Sequence, residues 1–249
     1  MIGLCSVTFR DLSVEEVIRV ARRAGLECIE WESRKHVRAG DLEEAKRVAG
    51  LTREAGLEIS SYGTYYQVGS HENFEDIIET AKAMETKMIR VWAGEKSSVD
   101  ADEQWFDHVV KDAERIADLA GKNELALSFE YHSGTLTDTP ESARRLMEAV
   151  NKPNVYLYWQ PAETLTTEER LESLAFLSPY IFNVHVFHWQ DYKNRYELSE
   201  GEAEWNEYVT VIEENTHAEH HYLLEFVKND DPKQLIKDAE VLRSLLKSH

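Results

Sequence analysis

The feature that most constrains this chain is a repeated unit. "ARRAGLECIE" starts at Ala21 and "LTREAGLEIS" at Leu51, so Ala24-Gly25-Leu26-Glu27 and Ala55-Gly56-Leu57-Glu58 align with a shift of 31 residues. Each copy reads as a helix end, a glycine, Leu-Glu and then a β-branched strand. Gly25 and Gly56 suit the left-handed position that closes a helix. "LAGKNELALS", with Gly121 and Glu124, is a weaker third copy. Strand-like runs centre near Leu4, Ile29, Ile59, Ile89, Leu127, Leu157, Val184 and Leu224, with amphipathic helical stretches between them. Ser13 with Glu16 forms a capping box ahead of Val14, Val17, Ile18, Ala21 and Ala24. Asp41 with Glu44 opens a second helix carrying Leu42, Ala45, Val48, Ala49, Thr52 and Ala55. Thr139-Pro140 and Asp231-Pro232 open two more. Strict alternation of eight strands with eight helices dictates an α/β fold, a parallel sheet with helices outside, and eight units in 249 residues make a single (β/α)8 TIM barrel. A doubly wound open sheet would want a Gly-rich phosphate turn after an early strand, and the sequence has none. No linker or low-complexity tract divides residues 1–249, which read as one domain.

Composition limits the partners. Apolar residues make up 42% of the chain, enough for a sizeable core. Asp and Glu total 47 against 28 Lys and Arg, a formal charge of −19. A surface this acidic repels phosphate backbones and anionic bilayers, so neither nucleic acid nor a membrane is the expected partner. No apolar run approaches the ~18 residues of a membrane span, and the start lacks a basic, then apolar, leader. Cys5 and Cys28 sit inside strand-like runs without metal-ligand spacing and read as reduced core thiols of a cytoplasmic protein.

Strand parity locates the chemistry. Alternate residues of a strand share a face. In "ELALSFEYHSGT" Leu125, Leu127 and Phe129 suit packing on helices, which turns Ser128, Glu130 and His132 into the barrel. The same test turns Gln160, His185 and Glu225 inward from the next three strands, all at the C-terminal rim where barrel active sites lie. Arg90 and Trp92 share the inward parity of "KMIRVWAG", and Glu30 and Glu32 that of the second strand. Any one of these alone is an ordinary polar residue near a strand end; four on four consecutive strands call for a common cause. Two carboxylates buried together repel and raise each other's pKa. One divalent metal ion between them removes that cost, and oxygen donors with one imidazole suit Mn²⁺, Mg²⁺, Co²⁺, Fe²⁺ or Zn²⁺.

"AGLECIEW", "IRVWAG", "FEYHSGTLTDT", "NVYLYWQP", "NVHVFHW", "GEAEW" and "YLLEF" together resemble the sugar phosphate isomerase/epimerase family of xylose-isomerase-like TIM barrels. That group also holds inosose dehydratases, ketose 3-epimerases and the endonuclease IV group. The resemblance implies a metal site of Glu, Asp, His and Glu from the ends of strands five to eight. These positions fall on Glu130, Gln160, His185 and Glu225, with Gln160 standing where the family has Asp. A glutamine amide oxygen still coordinates a hard cation but brings no charge. Two further departures are Glu163, where epimerases often carry His, and Asp191, where an Arg is often found; Arg195 is the nearby stand-in.

The expected function is that of a metal-dependent sugar isomerase or epimerase, moving a proton next to a carbonyl of a small carbohydrate through an enediolate. Glu130 and Glu225 are the catalytic pair, and His132, His188, Arg90 and Trp92 the expected substrate contacts. Arg90 is also expected to neutralise Glu30 and Glu32. Tyr62, Tyr65, Tyr66, Trp92, Trp159 and Trp189 are candidates for an apolar floor under a sugar ring, and residues 190–202 for a loop over the site. An inosose-type dehydratase uses the same proton abstraction. A non-catalytic sugar-binding barrel is the reading from another class, made credible by Gln160. An endonuclease would need extra histidines on early strands, whereas His36 and His71 fall in loops. The resemblance admits a homodimer.

Overall fold

Several helices begin where the sequence places a cap. In the computed structural model, which describes residues 1–70, 72–215 and 220–247, the Ser13–Glu16 capping box is formed at the start of α1 (Val14–Arg23). Asp41 accepts from the Glu44 backbone N–H at α2 (Leu42–Glu54), and Thr139 caps α5 (Pro140–Val150), with Pro140 in its first turn. The remaining helices are α3 (Glu75–Ala83), α4 (Glu103–Lys122), α6 (Thr167–Leu177), α7 (Glu202–Asn215) and α8 (Pro232–Lys247). Gly25 and Gly56 have φ of +66° and +72°, the left-handed closures that the repeat required. The third copy differs: Gly121 lies inside α4, and Glu124 takes the left-handed position with φ of +58°. Glu85 and Asn151 do the same after α3 and α5. The turn geometry is thus kept where the glycine is not.

The strands are β1 (Ile2–Cys5), β2 (Cys28–Glu32), β3 (Glu58–Gln67), β4 (Met88–Trp92), β5 (Ala126–Glu130), β6 (Val155–Trp159), β7 (Ile181–Val186), β8 (Trp189–Asp191), β9 (Asn194–Arg195) and β10 (His221–Leu224). Eight of them form a closed, all-parallel barrel in the order β1-β10-β7-β6-β5-β4-β3-β2. This is the (β/α)8 TIM barrel that the alternation dictated. The other two, β8 and β9, pair as an antiparallel ribbon at the start of the stretch that reads as a loop over the site. His71 lies outside the described residues.

Two apolar bodies hold the barrel. Outward residues such as Leu4, Ile29, Ile89, Leu127, Phe129, Leu157, Val184 and Leu224 are buried against the helices. Fully burying a side chain of this size stabilises by roughly 1.5–3 kcal/mol. Inside the barrel, Cys28, Met88, Tyr158 and Leu223 form a small apolar plug. Above it the interior turns polar, with Glu30, Ser61, Arg90, Ser128, Asn183 and His185 all buried. Register sets this layer: Glu30 lies opposite Ser61, Gly63 opposite Arg90, Arg90 opposite Ser128, and Leu223 opposite His185. Both cysteines are buried and free. Among the described residues, no helix is long and apolar enough to cross a membrane.

Candidate active site

The C-terminal rim of the barrel opens into a cavity of about 470 Å³. Glu130 ends β5, Gln160 follows β6, His185 lies in β7 and Glu225 follows β10, so four neighbouring strands deliver four side chains to one place. Nδ1 of His185 lies 3.0 Å from Gln160 Oε1, 3.5 Å from Glu225 Oε2 and 3.7 Å from Glu130 Oε1. Gln160 therefore turns its amide oxygen, not its nitrogen, towards the cluster. The ligand atoms of Glu130, His185 and Glu225 all lie within 4.8 Å of one another, and all three residues are buried. Three oxygens around one imidazole nitrogen fit a divalent cation of the hard or borderline kind.

Below this cluster lies a charged relay. Arg90 donates through Nη1 to Glu130 Oε2, and its Nε lies 3.1 Å from Glu30 Oε1. Trp92 Nε1–H donates to the same Glu130 Oε2 at 2.6 Å. Both donors hold one carboxylate oxygen and leave Oε1 facing His185. Burial alone would raise the Glu130 carboxyl, but Arg90 and His185 outweigh it and hold it low. Glu225 has no such clamp, and burial, with Glu130 and Glu30 close by, raises its carboxyl. Burial disfavours the His185 imidazolium, yet Glu225, Glu30 and Glu130 together raise its pKa.

A second trio, Cys5, Glu30 and His185, also lies within ligand distance. There the Arg90 guanidinium already supplies the counter-charge to Glu30. Cys5 Sγ donates to Glu30 Oε1 at 3.1 Å, and burial, with Glu30 beside it, keeps the thiol protonated well above its usual range. This trio is an interior network.

The cavity wall is aromatic and cationic. Trp92 stacks on His132 with ring centroids 4.6 Å apart and meets Tyr65 edge-on at 5.7 Å. Tyr65, Trp92, His132 and Trp189 line the cavity, whereas Tyr62, Tyr66 and Trp159 are core residues, bonded to Val37 O, Asp112 and Ser173. The β8–β9 ribbon brings Trp189 and Tyr192 over the mouth beside Phe226.

Several expected contacts fall elsewhere. His188 does not reach the cavity: it has the outward parity of Val184 and Val186, while Phe187 takes the inward side and lines the cavity. His188 packs instead over Gly201 and the ring of Tyr196. Glu32 does not meet Arg90; it accepts the backbone N–H groups of Arg34, Lys35 and His36 at 2.8, 2.7 and 3.0 Å. Burial works against its charge, but His36 and these backbone donors hold its carboxyl at about 2. Buried His36 bonds Ser6 and the Leu12 carbonyl, as a structural histidine does. Arg195 pairs with Asp230 at 2.6 Å and lies over the Tyr192 and Phe226 rings, so it props the ribbon and does not line the cavity. Asp191 closes the ribbon turn.

Two cavity residues escaped the sequence reading. Arg10 follows the 3-10 turn after β1, where its Nη2 lies 3.5 Å from the Tyr192 hydroxyl. Arg34 follows β2 and lies 3.8 Å over the Tyr65 ring. Among the described residues neither has a carboxylate partner. The usable signal was two arginines in the segments that follow the first two strands of a strongly acidic chain.

Comparison with known proteins places the fold. The family model of the xylose isomerase-like TIM barrel matches residues 18–245. A 3-dehydroshikimate dehydratase of Bacillus anthracis is 26% identical over 200 residues, covering 74% of this chain and 70% of that protein. The crystal structure of the probable 3-DHS dehydratase involved in petrobactin synthesis in Bacillus anthracis superposes with a TM-score of 0.80 at 23% identity, covering 97% of this chain and 98% of that one. A xylose isomerase-like TIM barrel protein from Mycobacterium smegmatis, solved in complex with magnesium, gives a TM-score of 0.77 at 16% identity, covering 99% and 96%. At these identities the two structures speak for the fold.

Proposed function

Since the chain belongs to the xylose isomerase-like TIM barrel family, we propose that it is a divalent-cation-dependent lyase that eliminates water from a hydroxylated ring ketone, as the name of its Bacillus anthracis relative describes for 3-dehydroshikimate. The observation that supports this most is the convergence of Glu130, Gln160 and Glu225 on His185 Nδ1 at the floor of the cavity. Those four side chains would hold the cation; once bound, it would withdraw electron density from a ketone oxygen and acidify the neighbouring C–H bond.

The chain's own groups supply the proton traffic. Glu130 is the base. Arg90 and Trp92 occupy its Oε2 and keep it ionised, and Oε1, which would turn one lone pair to the cation on the His185 side, has a second to take the carbon-bound proton. Glu225, which shares His185 Nδ1 with Glu130, is placed to hand a proton to the departing hydroxyl. A base and an acid held in this way are each worth roughly 10²–10⁴-fold in rate. Trp92, stacked on His132, offers a flat wall to a ring, and Arg34 and Arg10 offer charge to a substrate carboxylate. The aromatic mouth keeps bulk water from the proton in transit.

Isomerase or epimerase chemistry shares the first step and differs only in returning the proton to carbon. Glu163 lines the cavity where epimerases of the resembled family often carry His, so that histidine is missing from this site. The test is to incubate the Mn²⁺-loaded protein with 3-dehydroshikimate, an inosose and a ketohexose and follow each by proton NMR. Loss of water from a ring ketone is the expected result. Inversion or carbonyl migration alone would replace the lyase by an isomerase, and turnover of none of them would leave a sugar-binding barrel.

A further inference from the structure

Beside Arg90 and His185 the interior of the barrel holds a carboxylate to which the proton traffic above gives no role. Glu30 is fully buried on β2. Its Oε1 lies 3.1 Å from Arg90 Nε, 3.1 Å from Cys5 Sγ and 3.7 Å from His185 Nε2. Ser61 donates to its Oε2 at 2.7 Å, and Tyr158 and Asn183 extend that chain by hydrogen bonds of 2.7 and 2.6 Å. His185 Nε2 is a buried ring nitrogen with no hydrogen-bond partner among the described residues, and it is aimed at Glu30. Nδ1, on the other side of the same ring, faces Glu130, Gln160 and Glu225.

Space has been reserved for this carboxylate. A Cβ added to Gly63 on β3 would come 2.7 Å from Glu30 Oε1 and 3.0 Å from Arg90 Nη2. The glycine sits where the ion pair needs room, not where the backbone needs a left-handed turn.

We propose that Glu30 is the positioning residue of the site: it fixes the Nε2–H tautomer and the ring plane of His185, and through Arg90 it fixes which oxygen of Glu130 faces the cation. A ring nitrogen can offer its lone pair to a cation only if the proton sits on the other nitrogen, and a carboxylate beyond the ring decides which. Arg90, held by Glu30, takes Glu130 Oε2, so Oε1 is the oxygen left for the cation. One buried carboxylate therefore orients two of the four donors without touching ion or substrate. The proposal rests on the cation-dependent function above.

The experiment uses Zn²⁺ as the probe and reads His185 directly. In the Zn²⁺-loaded protein, long-range proton–nitrogen NMR is expected to show Nδ1 ligated and Nε2 carrying a slowly exchanging proton. Glu30→Gln is expected to weaken Zn²⁺ binding by roughly 10–100-fold and to shift that proton and speed its exchange. Gly63→Ala, which crowds the carboxylate without removing it, is expected to weaken binding in the same direction. If His185 of the unaltered protein binds Zn²⁺ through Nε2, the proposal falls whatever the variants do. If folded Glu30→Gln binds Zn²⁺ within about twofold of the parent with an unchanged Nε2–H resonance, the proposal falls while the functional reading stands. If the parent binds no Zn²⁺, both fall.

Discussion

Replacing Arg90 by methionine should reverse the pH dependence of part of the protein's stability. Arg90 is the buried cation between Glu30 and Glu130. Methionine keeps most of the bulk and removes the charge. Taking one partner from a buried ion pair costs about 3–5 kcal/mol, against a total stability of about 5–15 kcal/mol for a domain. The sign with pH follows from the carboxyls. In the parent both are held low, Arg90 overcoming the burial that would raise them. Their stabilisation is therefore complete above the unfolded value of about 4.3 and is lost only as pH falls below it. In the variant, burial and the neighbouring Glu225 push both carboxyls above that value. The folded state then binds more protons than the unfolded chain, and stability falls as pH rises from about 4.5 to 8, by about 1.4 kcal/mol per pKa unit raised and per group. Urea unfolding followed by circular dichroism, in chelator, at several pH values across that range gives the curve. A deficit that is the same at pH 4.5 and pH 8, or one smaller than about 1 kcal/mol at pH 7, would refute the ion-pair account.

Gln160→Asp should tighten Mn²⁺ binding about tenfold and Gln160→Leu should weaken it about tenfold, since ligand charge and oxygen count set the affinity for a hard cation and tenfold is about 1.4 kcal/mol; calorimetric titration checks both. Trp92→Phe keeps the ring against His132 but removes the 2.6 Å N–H donor to Glu130. It should lower kcat about tenfold with little change in melting temperature, because hydrogen bonds to charged groups are worth about 1.5–3 kcal/mol. Burial, with the N-terminal amine, holds the His221 imidazole down at about 4. The folded protein keeps that ring neutral while the unfolded chain charges, so stability should fall by about 2 kcal/mol as pH drops from about 6.5 to 4. Urea titrations should show this acid slope flattened in His221→Gln.

Strand parity made the centre of the site legible for a geometric reason. A side-chain period of two, applied to four consecutive strands of a closed barrel, leaves no freedom in which residues meet at the rim, so Glu130, Gln160, His185 and Glu225 could be named before any coordinates and are brought together here. The rule holds even just past the strand ends: Gln160 and Glu225 stand one residue beyond β6 and β10 and still meet at the site. His188 has the outward parity of Val184 and Val186 and faces Gly201, not the cavity, so expecting it as a substrate contact went against parity. Arg10 and Arg34 were missed because they stand in turns after β1 and β2, where no periodicity exists to read. Parity put Glu30 and Glu32 on one inward face, but it could not show that Glu32 sits high enough to cap the following loop while Glu30 sits low enough to meet Arg90. The ribbon of β8 and β9 is three plus two residues, too short to leave a pattern, and is held by Asp191 and by the rings around Arg195. The third copy of the repeat misplaced its turn because a glutamate, Glu124, tolerates the left-handed conformation that a glycine usually takes.

The most direct test of the central idea is deuterium uptake. The chelated protein, and the same protein reloaded with Mn²⁺, would be incubated in D₂O with a hydroxylated ring ketone, and the carbon-bound protons next to the ketone followed by NMR. Uptake at one such carbon, present only with the ion and abolished in Glu130→Gln, is the predicted result. Equal uptake with and without the ion, or uptake undiminished in Glu130→Gln, would contradict it.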